Sequence, residues 1–238
     1  MTSIKTLSKI AGLLYLIVIG TGLFAEVFVR QALRVSNDAM ATAQKIKASE
    51  MLYRLGFVAD LSNFVIGIPC VLIIYIIFRS VNKQVAQLAL IFVIIQTAVI
   101  AVNLLNQISA LLFLGNDLYL SSFSPEQLAS LSLHSLNLQA QGYGIGLVFF
   151  GFYCLLIGFL IYKSRFVPRF IGILYFITGL AYLFNSFSLF LFPNLSGTLF
   201  PYFALPAFIG EITFCLWLII KGVDEKKGYN DLRPAPFI

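Results

Sequence analysis

Charge is what this sequence has least of. Only 11% of its residues are Asp, Glu, Lys or Arg, against about 25% in an ordinary soluble domain. There is one histidine, His134, so a multi-histidine metal centre is excluded. There are three cysteines, Cys70, Cys154 and Cys215, and no CxxC pair. Each cysteine lies inside an apolar run, so buried thiols are expected and a disulfide framework is not. The signatures HExxH, GxSxG, Walker A and GxGxxG are all missing. A nucleophile–base pair would have to use the one histidine, which argues against a hydrolase or a metalloprotease. Neither a metal nor a cofactor is expected.

What the chain has instead is hydrocarbon. Hydrophobic residues make up 60% of it, and its mean hydropathy is +0.93. In water such a chain would expose far too much apolar surface; a lipid bilayer is the solvent that fits. A spanning helix needs about 20 mostly apolar residues. Six runs qualify: Ile10–Val29, Leu55–Phe78, Leu88–Leu114, Gly142–Tyr162, Phe170–Phe192 and Phe203–Ile220. They are continuous rather than alternating, which predicts helices and not barrel strands. The fold class is therefore all-α, a bundle of six transmembrane helices forming one membrane domain over residues 1–238. Lys5 and Lys9 before the first run resemble a signal-peptide n-region. The apolar stretch is too long for one, and no small-x-small site follows, so the run is read as a retained span.

Lysine and arginine set the orientation. With the N-terminus inside, the cytoplasmic segments hold Lys5, Lys9, Arg79, Lys83, Lys163, Arg165, Arg169, Lys221, Lys226, Lys227 and Arg233, eleven of the sixteen. The other five, Arg30, Arg34, Lys45, Lys47 and Arg54, all fall in the first outside loop. Both termini, including the tail 221–238, are thus predicted to be cytoplasmic. The net charge of +6 follows from this topology, so nucleic acid is not expected as a partner.

The connecting segments carry signals of their own. Asp38 can cap a helix that begins near Ala39. Ser124-Pro125-Glu126-Gln127 reads as an N-cap, a proline at the first helical position and a capping-box glutamine. The apolar side that follows predicts a short interfacial helix leading into the fourth span. Residues 193–202 read as an outside loop, His134 as an exposed loop residue, and Arg233–Ile238 as a frayed tail. Pro69 should kink the second span, and Pro206 suits the first turn of the sixth. Gly144, Gly151 and Gly158 recur every seven residues on one face of the fourth span, as do Gly172 and Gly179 on the fifth. Such faces let membrane helices approach closely. Finally, Ile10 to Ile17 echoes Phe170 to Ile177.

Three acids lie within spans: Glu26, Asp60 and Glu211. Charge in hydrocarbon is costly, so such residues usually face the bundle interior and mark function. Asn63 follows Asp60 by three residues on the same helix face, and Asn103, Asn106 and Gln107 occupy the outer half of the third span. The pattern predicts a polar pocket that opens outward over a dry cytoplasmic half. The candidate ligand-binding set is Glu26, Asp60, Asn63, Asn103, Asn106 and Glu211. Arg30, one turn beyond Glu26, and Arg54, just before Asp60, are candidate charge partners. Such pairing gives Glu26 and Asp60 a plainer reading, in which interfacial ion pairs hold helix ends together. Glu211 has no cation near it in its own segment.

One stretch also carries a resemblance. Gly146 to Gly151, Gly158 to Ser164, and Val167-Pro168-Arg169-Phe170-Ile171-Gly172-Ile173-Leu174 are similar to the signature of an uncharacterised bacterial membrane family, domain of unknown function 4386. Ala48-Ser49-Glu50, Tyr53-Arg54, Gly210-Glu211, Leu216-Trp217-Leu218 and Lys221-Gly222 resemble it too. The likeness covers nearly the whole chain. It implies a protein of the bacterial plasma membrane, and it brings no activity with it.

The leading expectation is a non-enzymatic six-helix protein, in contact with the lipid bilayer, that binds or moves a small molecule or ion through the outward pocket. The alternative is a membrane scaffold or accessory subunit that meets a second copy of itself or another membrane protein. The third is a membrane-embedded enzyme.

Overall fold

The structure is a computed structural model that describes residues 3–223. The predicted frayed tail Arg233–Ile238 and the cations Lys226, Lys227 and Arg233 lie outside the described residues. Among these residues the regular structure is helical, and six helices are long and apolar enough to cross a membrane. In chain order the elements are α1 (Ile4–Leu33), the shorter α2 (Ala39–Ala48), α3 (Glu50–Phe78), α4 (Lys83–Leu112), α5 (Pro125–Lys163), α6 (Arg169–Leu191) and α7 (Pro193–Ile220).

The caps form where residue types call for them. Asp38 Oδ1 accepts the Ala41 amide at 2.8 Å and starts α2. Before α5, Ser124 Oγ accepts the Gln127 amide at 3.3 Å while Gln127 Oε1 accepts the Ser124 amide at 2.8 Å. This reciprocal box satisfies two donors that the first turn leaves without partners. At the far end of α7, Gly222 takes φ +66° and its amide donates to Trp217 O at 3.2 Å. That left-handed step suits glycine, which lacks a Cβ. The Val223 amide then reaches Ser8 Oγ at 2.9 Å.

Four expectations need correction. Residues 193–202 are not a loop: α7 starts at Pro193, and Pro201 and Pro206 both lie inside it. Pro193, not Pro206, takes the N1 position, where a missing N–H costs nothing. His134 is exposed, but it sits on α5 rather than in a loop. The interfacial helix and the fourth span are one continuous element of 39 residues, about 58 Å at 1.5 Å per residue. That is nearly twice an apolar layer of about 30 Å, so composition marked only the apolar part. Pro69 lies within an unbroken α3.

The described residues divide into two compact units. Unit 1 takes them from Met1–Ile17, Ile66–Thr97 and Gly144–Ile238, and unit 2 takes Val18–Val65 and Ala98–Tyr143. In unit 1, Tyr175, Phe78, Phe214, Ile157 and Leu218 are among the largest fully buried side chains. Tyr175 and Phe214 meet edge to face at 5.1 Å, and Tyr15 and Tyr175 share a hydroxyl hydrogen bond of 2.9 Å. These two tyrosines are the matched positions of the sequence echo. All three cysteines are buried and free in unit 1; Cys70 donates to Ala11 O and Cys215 to Gly12 O.

Helices α5 and α6 approach until backbones touch. A Cβ at Gly158 would stand 2.8 Å from the Phe176 amide nitrogen, and one at Gly172 would stand 2.7 Å from that of Tyr162. Gly151 and Gly179 face each other in the same way. Lipid tails are as apolar as leucine, so close packing rather than the hydrophobic effect joins such helices.

In unit 2 the core is smaller. Val29, Ile46, Tyr53, Ala110 and Leu136 belong to one buried cluster, and Phe64, Ile100 and Leu104 to another. Outward faces in both units are apolar: Leu13, Val65, Ile94, Val102 and Phe184 are each more than half exposed. Water would penalise that surface; lipid does not.

Candidate functional site

Two candidate acids of unit 2, Glu26 and Asp60, gather around Arg30. Within α1, Phe24–Arg30 is π-helical, and the Gln31 amide bonds back five residues to Glu26 O. A widened turn of this kind re-aims the side chains it carries and often occurs at functional positions. Here it carries both Glu26 and Arg30. Arg30 Nε donates to Glu26 Oε2 at 2.7 Å, and its Nη1 donates to Asp60 Oδ2 at 2.5 Å. The guanidinium also lies 5.3 Å from the centre of the Tyr143 ring. Gln31 Nε2 adds a bond of 3.1 Å to Glu26 Oε1.

The pairing is uneven. The Asp60 side chain is 3% exposed, whereas that of Glu26 is 31% exposed. Gln107 is in hydrogen-bonding reach of Asp60, yet its own Oε1 is buried without a partner among the described residues. The Tyr53 hydroxyl donates to Gln107 O at 2.5 Å. Two carboxylates thus share one arginine, beside an acceptor that nothing satisfies. A buried polar atom without a partner calls for an explanation.

Arg54 stands elsewhere. It pairs with Glu50 at 2.7 Å, one turn before it, and both side chains are about half exposed. Proximity in sequence to Asp60 therefore misled: six residues on a helix put the arginine on another face, whereas Arg30 reaches Asp60 from a neighbouring helix.

The asparagines hold helices together. Asn63 Nδ2 donates to Val18 O at 2.5 Å and to Thr21 Oγ1 at 3.2 Å, tying α3 to α1. Asn103 Nδ2 donates to Gln139 O at 2.7 Å, tying α4 to α5, and Asn106 Nδ2 donates to Asn103 Oδ1 at 2.9 Å. Gly142 makes room for this: any Cβ there would collide with the Asn103 amide.

Glu211 belongs to unit 1, and the other five residues of the candidate set belong to unit 2. Its Oε1 accepts the Tyr182 hydroxyl at 2.9 Å. Sequence reading named Gln107 only as one of several amides and missed Tyr53 and Tyr143 around Arg30. Tyrosine is common in apolar runs, so no local signal separated these two from the rest. Among the described residues no group of three or more His, Cys, Asp or Glu could hold a metal ion.

Unit 2 also contains an open cleft of about 390 Å³ between α2 and the segment 114–129. Met40, Lys47, Asp117 and Phe123 line it, and none of the candidate residues does.

Residues 10–222 match the family described as Domain of unknown function (DUF4386). The chain belongs to this family. It is also similar to a protein of Archaeoglobus fulgidus that is named only as an uncharacterized protein. The two are 25% identical over 158 residues, which is 66% of this chain and 78% of the relative. No solved structure matches. The family is one of unknown function with membrane-spanning helices, and neither comparison brings a ligand, a transport activity or an enzyme activity to this chain.

Proposed function

We propose that this is a single-domain protein of the bacterial plasma membrane, with both termini cytoplasmic, that binds or moves a small cationic solute at the Arg30 cluster. The observation that supports this is the sharing of one arginine by Glu26 and Asp60. With all three ionised the Glu26–Arg30–Asp60 triad sums to one negative charge, which Arg34 in electrostatic range of Glu26 offsets without pairing to it, and a bound cation would balance it directly. Glu26 is the more open of the two acids and is the natural point of entry. The buried Gln107 oxygen supplies a further acceptor for a cation or for the N–H of an ammonium group. Ion triads inside spans commonly mark solute or ion pathways.

A second reading has its own support. Asn63, Asn103 and Asn106 each spend an amide on a helix-to-helix or local bond, as a scaffold or accessory subunit requires. The two readings separate in one experiment. Thermal stability of the detergent-purified protein is measured against sodium, potassium, calcium and small alkylammonium ions. The solute-binding reading expects at least one cation to raise the midpoint in the wild type but not in Asp60→Asn. Identical flat responses in both proteins would leave the scaffold reading standing.

A further inference from the structure

Glu211 presents a different charge problem, within unit 1 alone. It lies inside α7, a helix apolar enough to cross a membrane. Among the described residues no lysine, arginine or histidine forms an ion pair with it. Its hydrogen bond comes from a neutral donor, the Tyr182 hydroxyl of α6. Among the described residues, the titratable groups in electrostatic range of it besides Tyr182 include Tyr15 on α1, Tyr153 and Cys154 on α5, Tyr175 on α6 and Cys215 on α7 itself. All of these are uncharged hydroxyls and thiols in their ordinary forms.

Two of the hydroxyls are committed to each other, in the Tyr15–Tyr175 bond of 2.9 Å. The Tyr153 hydroxyl is not: it is buried and has no hydrogen-bond partner among the described residues. Tyr153 as a whole is only 3% exposed. A carboxylate surrounded in this way has hydrogen-bond donors but no compensating charge, and an uncompensated ion in an apolar layer is costly. The smallest species that removes the cost is a proton. A protonated Glu211 keeps its bond from Tyr182 on Oε1 and gains an O–H on Oε2 that seeks an acceptor. The Tyr153 hydroxyl lies in electrostatic range of Glu211 but forms no hydrogen bond with it.

We propose that Glu211 is a reversible proton-binding site, with Tyr182 as its positioning donor. This inference does not rest on the solute-binding reading of the Arg30 cluster, and it survives if that reading fails.

The test is infrared difference spectroscopy of the full-length protein in detergent across a pH titration, with the carboxyl C=O band as the readout. The wild type should show a protonated-carboxyl band that disappears as the pH rises. Glu211→Gln should lack that band while the other carboxyl signals remain. Tyr182→Phe should keep the titrating band but move its frequency, because the hydrogen bond to the carbonyl oxygen is gone. If Glu211→Gln does not fold, the shift in Tyr182→Phe makes the assignment. A titrating band that persists in Glu211→Gln would overturn the proposal. So would a band that Tyr182→Phe leaves unmoved, or a wild type with no titrating band.

Discussion

The glycine contact between α5 and α6 allows a quantitative test by comparing Gly158→Ala with Gly67→Ala. Both replace glycine in a helix interior with the best helix former, a gain of about 1 kcal/mol in each. They differ in what the new methyl meets. At Gly67 nothing lies within 4 Å of the Cβ position. At Gly158 the methyl would stand 2.8 Å from Phe176 N, 2.9 Å from Gly172 O and 3.0 Å from Phe176 Cα. These are backbone atoms of the opposing helix, which cannot rotate aside as a side chain would. Overpacking of this kind costs about 1–3 kcal/mol. The propensity gain cancels between the variants, so Gly158→Ala should fall below Gly67→Ala by that whole amount. At about 2–4 °C per kcal/mol for a chain of this size, the apparent midpoints should differ by about 2–12 °C. Thermal unfolding in detergent, followed through Trp217, the one tryptophan, measures the gap. The double variant Gly158→Ala/Gly172→Ala loads the same contact twice and should lose less than the sum of the singles. Equal midpoints for Gly158→Ala and Gly67→Ala would refute the close approach of the two helices.

Two more outcomes follow from the charges. Arg30→Gln strands Asp60 in a buried site and should cost about 3–5 kcal/mol, most of it recovered in Arg30→Gln/Asp60→Asn. Arg54→Gln removes an exposed pair and should cost no more than about 0.5 kcal/mol; comparable losses from Arg30→Gln and Arg54→Gln in denaturant titrations would contradict the assignment of Arg30 to Asp60. For topology, single cysteines are placed in a cysteine-free background and treated from outside with an impermeant thiol reagent. Cysteine at Ser122 or Ser196 should label and cysteine at Lys226 should not; the reverse pattern would invert the orientation.

Composition and run length determined a good deal without any structure. An apolar, charge-poor chain with six long runs has one workable solvent and one workable secondary structure, because backbone groups in lipid must all be bonded in a helix or a closed barrel and continuous rather than alternating runs exclude the barrel. Local signals were legible for the same reason: Asp38 and the Ser124–Gln127 box act on amides within three residues. The seven-residue glycine spacing identified the packed faces of α5 and α6, since a fixed helical period converts spacing into direction. Helix length was less legible. Polar residues at the start of α7 read as loop, because hydropathy measures contact with lipid and not whether the backbone is helical.

What only the tertiary structure decided is which charge meets which. Arg54 lay near Asp60 in sequence and went to Glu50, while Arg30, thirty residues before Asp60, reaches it from another helix. The π-helical stretch that carries Glu26 and Arg30 has no local signature. Asn103 bonds a backbone oxygen thirty-six residues away across a gap that Gly142 leaves open. Solvent choice and helix period are properties of a segment, so they can be read along the chain. Ion pairs and vacant acceptors are properties of two or more segments brought together, and packing alone determines them.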